Sequence, residues 1–143
     1  MKFQKLAFAL PFLISQSVFA VSPDQPDACP QPEAFAAVGV NEVEFDELSS
    51  MWAAYRTSSS FETAHQWTLI VAPIDAENAS DALNQANKAL PGLTLNYGPE
   101  GEDGMWACLY SNANESLMAI AVTPPVLGDV KRLINKFNLK AIH

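Results

Sequence analysis

Residues 66–93 read QWTLIVAPIDAENASDALNQANKALPGL, and this stretch decides the fold. Gln66 to Ala72 is a run of β-branched, aromatic and other apolar residues, which predicts a strand. Pro73 has no backbone N–H to give to a ladder and is expected to end it. Asp75 then opens a helix, its short carboxylate placed to accept from the first free N–H groups. Ala79, Ala82, Leu83, Ala86 and Leu90 recur at helical spacing, and Pro91-Gly92 stops the run. That face is mostly alanine, so the helix can lie close on a sheet. Leu93 to Tyr97 alternates as a further strand. The connection from Ala72 through Leu93 therefore reads as a strand–helix–strand crossover.

Working back from this unit, Met51 to Arg56 is a strand candidate with Trp52 and Tyr55 as aromatic bulk, followed by a polar turn at Thr57 to Ser60. Val40 to Phe45 alternates, with Val43 and Phe45 expected inward. Pro32 can open a short helix through Ala37, which Gly39 ends. Working forward, Gly98 to Gly104 reads as an acidic loop with three glycines and Pro99. Met105 to Tyr110 and Leu117 to Thr123 form a hairpin, and Pro124-Pro125 breaks the sheet. Asp129 to Phe137 forms a last amphipathic helix. Val130, Leu133, Ile134 and Phe137 lie on one side, and Lys131, Arg132, Lys136 and Lys140 on the other. The expected fold is a single α+β domain. Its mostly antiparallel sheet has about five to six strands with one central helix packed on it, a short N-terminal helix and a C-terminal amphipathic helix.

The chain opens as an export leader. Lys2 and Lys5 give a positive start, Leu6 to Ile14 a short apolar run, and Val18 and Ala20 the small cleavage positions. The run is too short to span a bilayer, so no transmembrane anchor is expected. Residues 1–20 are expected to be a signal peptide cut near Ala20. Residues 21–143 then form one domain, secreted or periplasmic, with an irregular lead-in at 21–31. Without Lys2 and Lys5, six basic residues face sixteen acidic ones, a net charge of −10. Such a surface excludes nucleic acid, whose phosphates need clustered Lys and Arg. Cys29 and Cys108 are the only cysteines. An even thiol count in an oxidising compartment reads as a disulfide. These two are too far apart in sequence for a Cys-x-x-Cys redox pair.

No catalytic motif stands out. There is no Gly-x-Ser-x-Gly elbow, and His65 and His143 are the only histidines. Ser58, Ser59 and Ser60 precede His65 but read as turn residues, so no enzyme activity is expected. A zinc site needs about four Cys or His ligands, and neither acidic cluster (42–47 or 100–103) has the EF-hand spacing. Aromatic residues are plentiful: Trp52, Trp67, Trp106, Tyr55, Tyr97 and Tyr110 all fall in predicted strands. They suit a core and equally an apolar slot for a flat ligand.

Several segments in order carry a family likeness: Cys29-Pro30, Gly39-Val40, Trp52, His65-Gln66-Trp67-Thr68-Leu69-Ile70-Val71, Tyr97-Gly98, Trp106-Ala107-Cys108-Leu109-Tyr110 and Val122-Thr123-Pro124. From Cys29 to about Pro124 the chain resembles small secreted proteins of host-invading gamma-proteobacteria, some of them named hemin-binding proteins. The resemblance implies a secreted single domain with a part in haem acquisition. Its cofactor would be haem (hemin). Candidate contacts are His65, Tyr55, Tyr110, Trp67 and Trp106 for the porphyrin and its iron, with Lys131, Arg132 and Lys136 for the propionates. The alternative is a secreted protein–protein interaction module without a cofactor.

Overall fold

A computed structural model describes residues 24–102, 104–128 and 130–136. The expected leader, Asp129, Phe137, Lys140 and His143 lie outside the described residues. Helix α1 (Pro32–Val38) leads to strands β1 (Glu42–Asp46), β2 (Met51–Ser59) and β3 (Trp67–Ile74). Helix α2 (Ala79–Ala89) and a 3-10 turn (Leu90–Gly92) precede β4 (Thr94–Glu102), β5 (Met105–Ser111), β6 (Met118–Thr123) and helix α3 (Val130–Lys136). The six strands form one sheet in the order β1-β2-β3-β6-β5-β4. Every neighbouring pair is antiparallel. The expected α+β architecture is the observed one.

The unit at 66–93 organises this order. All eight residues of β3 are buried, because both faces of the sheet are covered at that strand. Its sequence is therefore continuously apolar rather than alternating. Trp67, Leu69 and Val71 face the layer of α1 and α2, in one cluster with Phe35, Phe61, Ala82, Ala86, Leu90 and Tyr110. Ile70 and Ala72 face the other way and join Val130, Leu133 and Ile134 of α3. Ala82 and Ala86 are fully buried, which lets α2 lie low on the sheet. The chain leaves β3, crosses over in α2, and enters the sheet again at the far edge as β4. The β5–β6 hairpin then fills the gap between them.

Five local expectations are corrected. Pro73 does not end β3, which runs on to Ile74. Trp52 pairs with Ile74 and Ala54 with Val71, so Pro73 sits in a bulge where no ladder bond needs its missing N–H. Asp75 is not the helix cap. Asn78 is, its side chain accepting from Asp81 N at 2.9 Å. Thr57 to Ser59 are strand, not turn, because Ser59 still pairs with Trp67. Gly98 to Glu102 are also strand rather than loop. Register shifts fall between Leu95 and Tyr97 and between Tyr97 and Glu100, and an edge strand tolerates Gly and Pro at such bulges. Phe45 is not interior: it is 40% exposed and lies on Trp52, ring centroids 5.0 Å apart. Strand β1 is a sheet edge, and Val43 packs against the core cluster of that face while Phe45 is not part of it.

The disulfide forms. Cys29 and Cys108 are bonded, 79 residues apart in sequence, and tie the segment before α1 to β5. A cation closes α1 at its other end: Arg56 Nε donates to Gly39 O at 2.6 Å and Nη2 to Val38 O at 3.3 Å. Asn87 of α2 secures the same corner, accepting from Val40 N at 2.9 Å and donating to Val40 O at 3.1 Å.

Candidate functional site

The β2–β3 turn and the arm before α1 are built from local chemistry and leave a cleft between them. Phe61 and Glu62 both have positive φ, 45° and 63°, a left-handed conformation that non-glycine residues rarely hold. Burial of Phe61 holds it there. Its ring meets Phe35 edge-on at 4.9 Å, and Phe35 meets Tyr110 in the same way at 4.9 Å. Thr63 fixes the rest of the turn. Its Oγ1 accepts from Trp67 Nε1 at 2.8 Å and from His65 N at 3.1 Å, and lies 2.9 Å from Ser60 O. The arm is held by the disulfide and by Tyr110, whose hydroxyl donates to Pro30 O at 2.6 Å in the interior. Burial raises the Tyr110 pKa well above its usual value.

The cleft has a volume of about 330 Å³. Asp27, Cys29, Pro30 and Gln31 form one wall, Phe61 to His65 the other, and Ala34 of α1 the back. Cys29, Pro30, Ala34 and Phe61 are buried beneath it, while Asp27, Ala28, Gln31, Glu62 and Ala64 are exposed along it. His65 is half-buried, its ring 6.4 Å from that of Trp67 and tilted 70° to it. Among the described residues no hydrogen bond is made by either imidazole nitrogen. The nearby serines do not engage it: Ser58 Oγ donates to Gln66, and Ser59 Oγ accepts from Phe61 N. A second cleft of about 430 Å³ lies between α2 and the β5–β6 turn, lined by Pro73, Asp75, Gln85, Asn112 and Leu117 among others. Its carboxamides are already bonded within the protein, Gln85 to Asp75 O and Asn112 to Ser116 and Leu117.

The domain so described, with its disulfide and its cleft, matches one family model over residues 28–129, described as Domain of unknown function (DUF4949). The chain belongs to the DUF4949 family. No curated protein and no solved structure shows a match. The matched DUF4949 region takes in α1, all six strands, α2 and most of both cleft walls. Asp27, at one end of the rim, lies just before it.

Of the candidate contacts, the fold brings together His65 and Trp67. Trp67 and Tyr110 are fully buried and serve as the support behind the cleft, with no ring face open to a ligand. Trp106 is half-buried on β5, against Gly101 of β4. Tyr55 lies on the α3 side of the sheet. Burial, then a hydrogen bond to Glu42 and the charges of Glu42 and Glu44, raise its pKa to about 12. Lys131, Arg132 and Lys136 are exposed on α3, with Lys131 Nζ 3.5 Å from a Glu44 carboxylate oxygen. All three stand across the sheet from His65. Sequence reasoning missed Phe61, Thr63, Pro30 and the acidic pair Asp27 and Glu62. A lone Phe61 inside the polar stretch 57–66 was the one available signal. Among the described residues, no group of three or more His, Cys, Asp or Glu is placed to hold a metal ion, and no helix is long and apolar enough to cross a membrane.

Proposed function

We propose that the chain is an exported, non-enzymatic hemin-binding protein that receives the porphyrin at the cleft beside His65. The observation that carries this reading is the His65 imidazole, half-buried, without a hydrogen bond among the described residues, and set at the cleft between segments 27–31 and 61–65. A neutral imidazole nitrogen is a common axial ligand of haem iron, and the exposed Ala28 and Ala64 line the same cleft. The cleft volume lies at the low end of small-molecule sites, which run from about 300 to 1,000 Å³. Export is supported by the buried disulfide, a bond that persists in oxidising compartments. Titration with hemin is expected to give a shifted Soret band and quenching of tryptophan fluorescence, with Trp67 next to His65. The His65→Ala variant is expected to lose the shift. Absence of a Soret change in the parent chain, or an unchanged one in the variant, refutes the reading.

One observation favours the rival, a partner-binding module without a cofactor. Leu48 is 91% exposed at the tip of the β1–β2 hairpin. Two hydrogen bonds brace the tip: Asp46 accepts from Ser49 N at 3.0 Å and from Ser49 Oγ at 2.6 Å. Recovery of a stoichiometric protein partner by a chain that binds no hemin would favour that reading.

A further inference from the structure

The cleft of about 430 Å³ between α2 and the β5–β6 turn has internal hydrogen bonds that fix which of its polar groups remain for a ligand. Gln85 Nε2 donates to Asp75 O at 3.0 Å and to Asp81 Oδ2 at 3.1 Å. Both partners are acceptors only, so the amide nitrogen must face them, and Gln85 Oε1 is left as an acceptor. Ser116 Oγ donates its one proton to Asn114 Oδ1 at 2.7 Å and accepts from Asn112 Nδ2 at 3.1 Å, which leaves it a lone pair. Asp75 is exposed, and its carboxylate makes no hydrogen bond or ion pair among the described residues. Against these three acceptors stands one side-chain donor, the second amide hydrogen of Asn112, whose Oδ1 accepts from Leu117 N at 3.0 Å. A further carboxylate, Asp81, lies one hydrogen bond behind Gln85.

A group that donates several hydrogen bonds and carries positive charge complements this set. An alkylammonium has three donors and no acceptor, and its bonds to a carboxylate are roughly twice as strong as neutral ones. Met51 and Ala89, both half-buried, line the same cleft and offer apolar contact to an aliphatic chain. The volume falls within the range of small-molecule sites, about 300 to 1,000 Å³. We infer that this cleft is a binding site for a small aliphatic cation, whose head meets Asp75 and Gln85 Oε1 and whose chain lies along Met51 and Ala89. It shares no lining residue with the His65 cleft and does not depend on the hemin reading.

The test titrates the full chain with hexylammonium chloride and with 1-hexanol, a neutral molecule of the same length, at pH 7 and low ionic strength. Backbone amide NMR shifts report the binding. Hexylammonium is expected to shift the amides of Asp75, Gln85, Ala89 and Ser116 saturably and to bind threefold or more tighter than hexanol. The Asp75→Asn variant removes the charge and keeps the shape. It is expected to bind hexylammonium about two- to fivefold more weakly, the scale of an exposed ion pair, and hexanol unchanged. Absence of saturable shifts at those amides overturns the inference, as does hexanol bound within threefold of hexylammonium. A variant that binds hexylammonium as tightly as the parent also overturns it. So does one that loses both ligands alike, since the cleft would then read shape and not charge.

Discussion

Replacing both cysteines by alanine tests how the arm before α1 is held. The bond joins residues 79 apart in sequence. In the chain-entropy model a closed loop of that size removes about 15 cal/mol/K from the unfolded ensemble, or about 4.5 kcal/mol at 25 °C. Native contacts change little by comparison. Cys29 and Cys108 are both buried, and alanine leaves only a small void at each. The arm also keeps the Tyr110–Pro30 hydrogen bond, worth about 1 kcal/mol. The expected loss is therefore about 3–5 kcal/mol, a large share of the roughly 5–15 kcal/mol available to a domain. Urea denaturation of the parent and the Cys29→Ala/Cys108→Ala variant measures it. Because the effect acts on the unfolded chain, the variant is expected to show a lower midpoint and a steeper slope, its unfolded state being more expanded. A loss below about 1 kcal/mol with an unchanged slope would refute the reasoning, since the link would then constrain nothing that the other contacts do not.

Gly98→Ala is expected to be more disruptive than its size suggests. Gly98 has a φ of 123°, and an added Cβ would lie 2.5 Å from Ala107 O and 2.8 Å from Cys108 Cα. Conformational strain alone is about 1–3 kcal/mol, and the backbone clash adds to it, so thermal unfolding should show a clearly lowered midpoint. Tyr110→Phe removes the donor to Pro30 O and leaves that carbonyl without its bond, at a cost of about 1–3 kcal/mol in urea melts. The tyrosines also set the alkaline limit. Tyr110 and Tyr55 have raised folded-state pKa values, so they favour the native state fully below pH 10. That contribution is lost as pH rises from 10 through about 12, where the unfolded chain sheds protons that the native chain retains. Stability measured from pH 9 to 11.5 should fall, and the Tyr110→Phe variant should show a shallower fall.

Much of the fold was legible because burial leaves a periodic trace. The short run at 67–71, rich in β-branched and aromatic residues and followed by Pro73, reads as a covered strand, and the spacing of Ala79, Ala82, Leu83, Ala86 and Leu90 as a helix face. The errors fell where one residue type serves two ends. Pro73 and Gly98-Pro99 read as breaks, yet at bulges on a sheet they continue the strand, and only the register of the partner strand tells the two apart. Asp75 and Asn78 are both competent caps, and the path of the preceding strand decided between them. The candidate site was less legible. His65 was visible as one of two histidines, but Trp67 and Tyr110 look the same in sequence whether they line a slot or fill a core.

By itself the sequence determined what depends on neighbours along the chain: the strands and helices, the acidic balance and the pair of cysteines. The tertiary structure alone decided what depends on residues far apart in sequence. It placed β6 and β5 between β3 and β4, put the α3 cations on the face opposite His65, and closed a cleft between segments 27–31 and 61–65. The physical reason is that local pattern records whether a side chain is covered. Which distant segment covers it is settled only when the sheet order is chosen and both faces are packed at once.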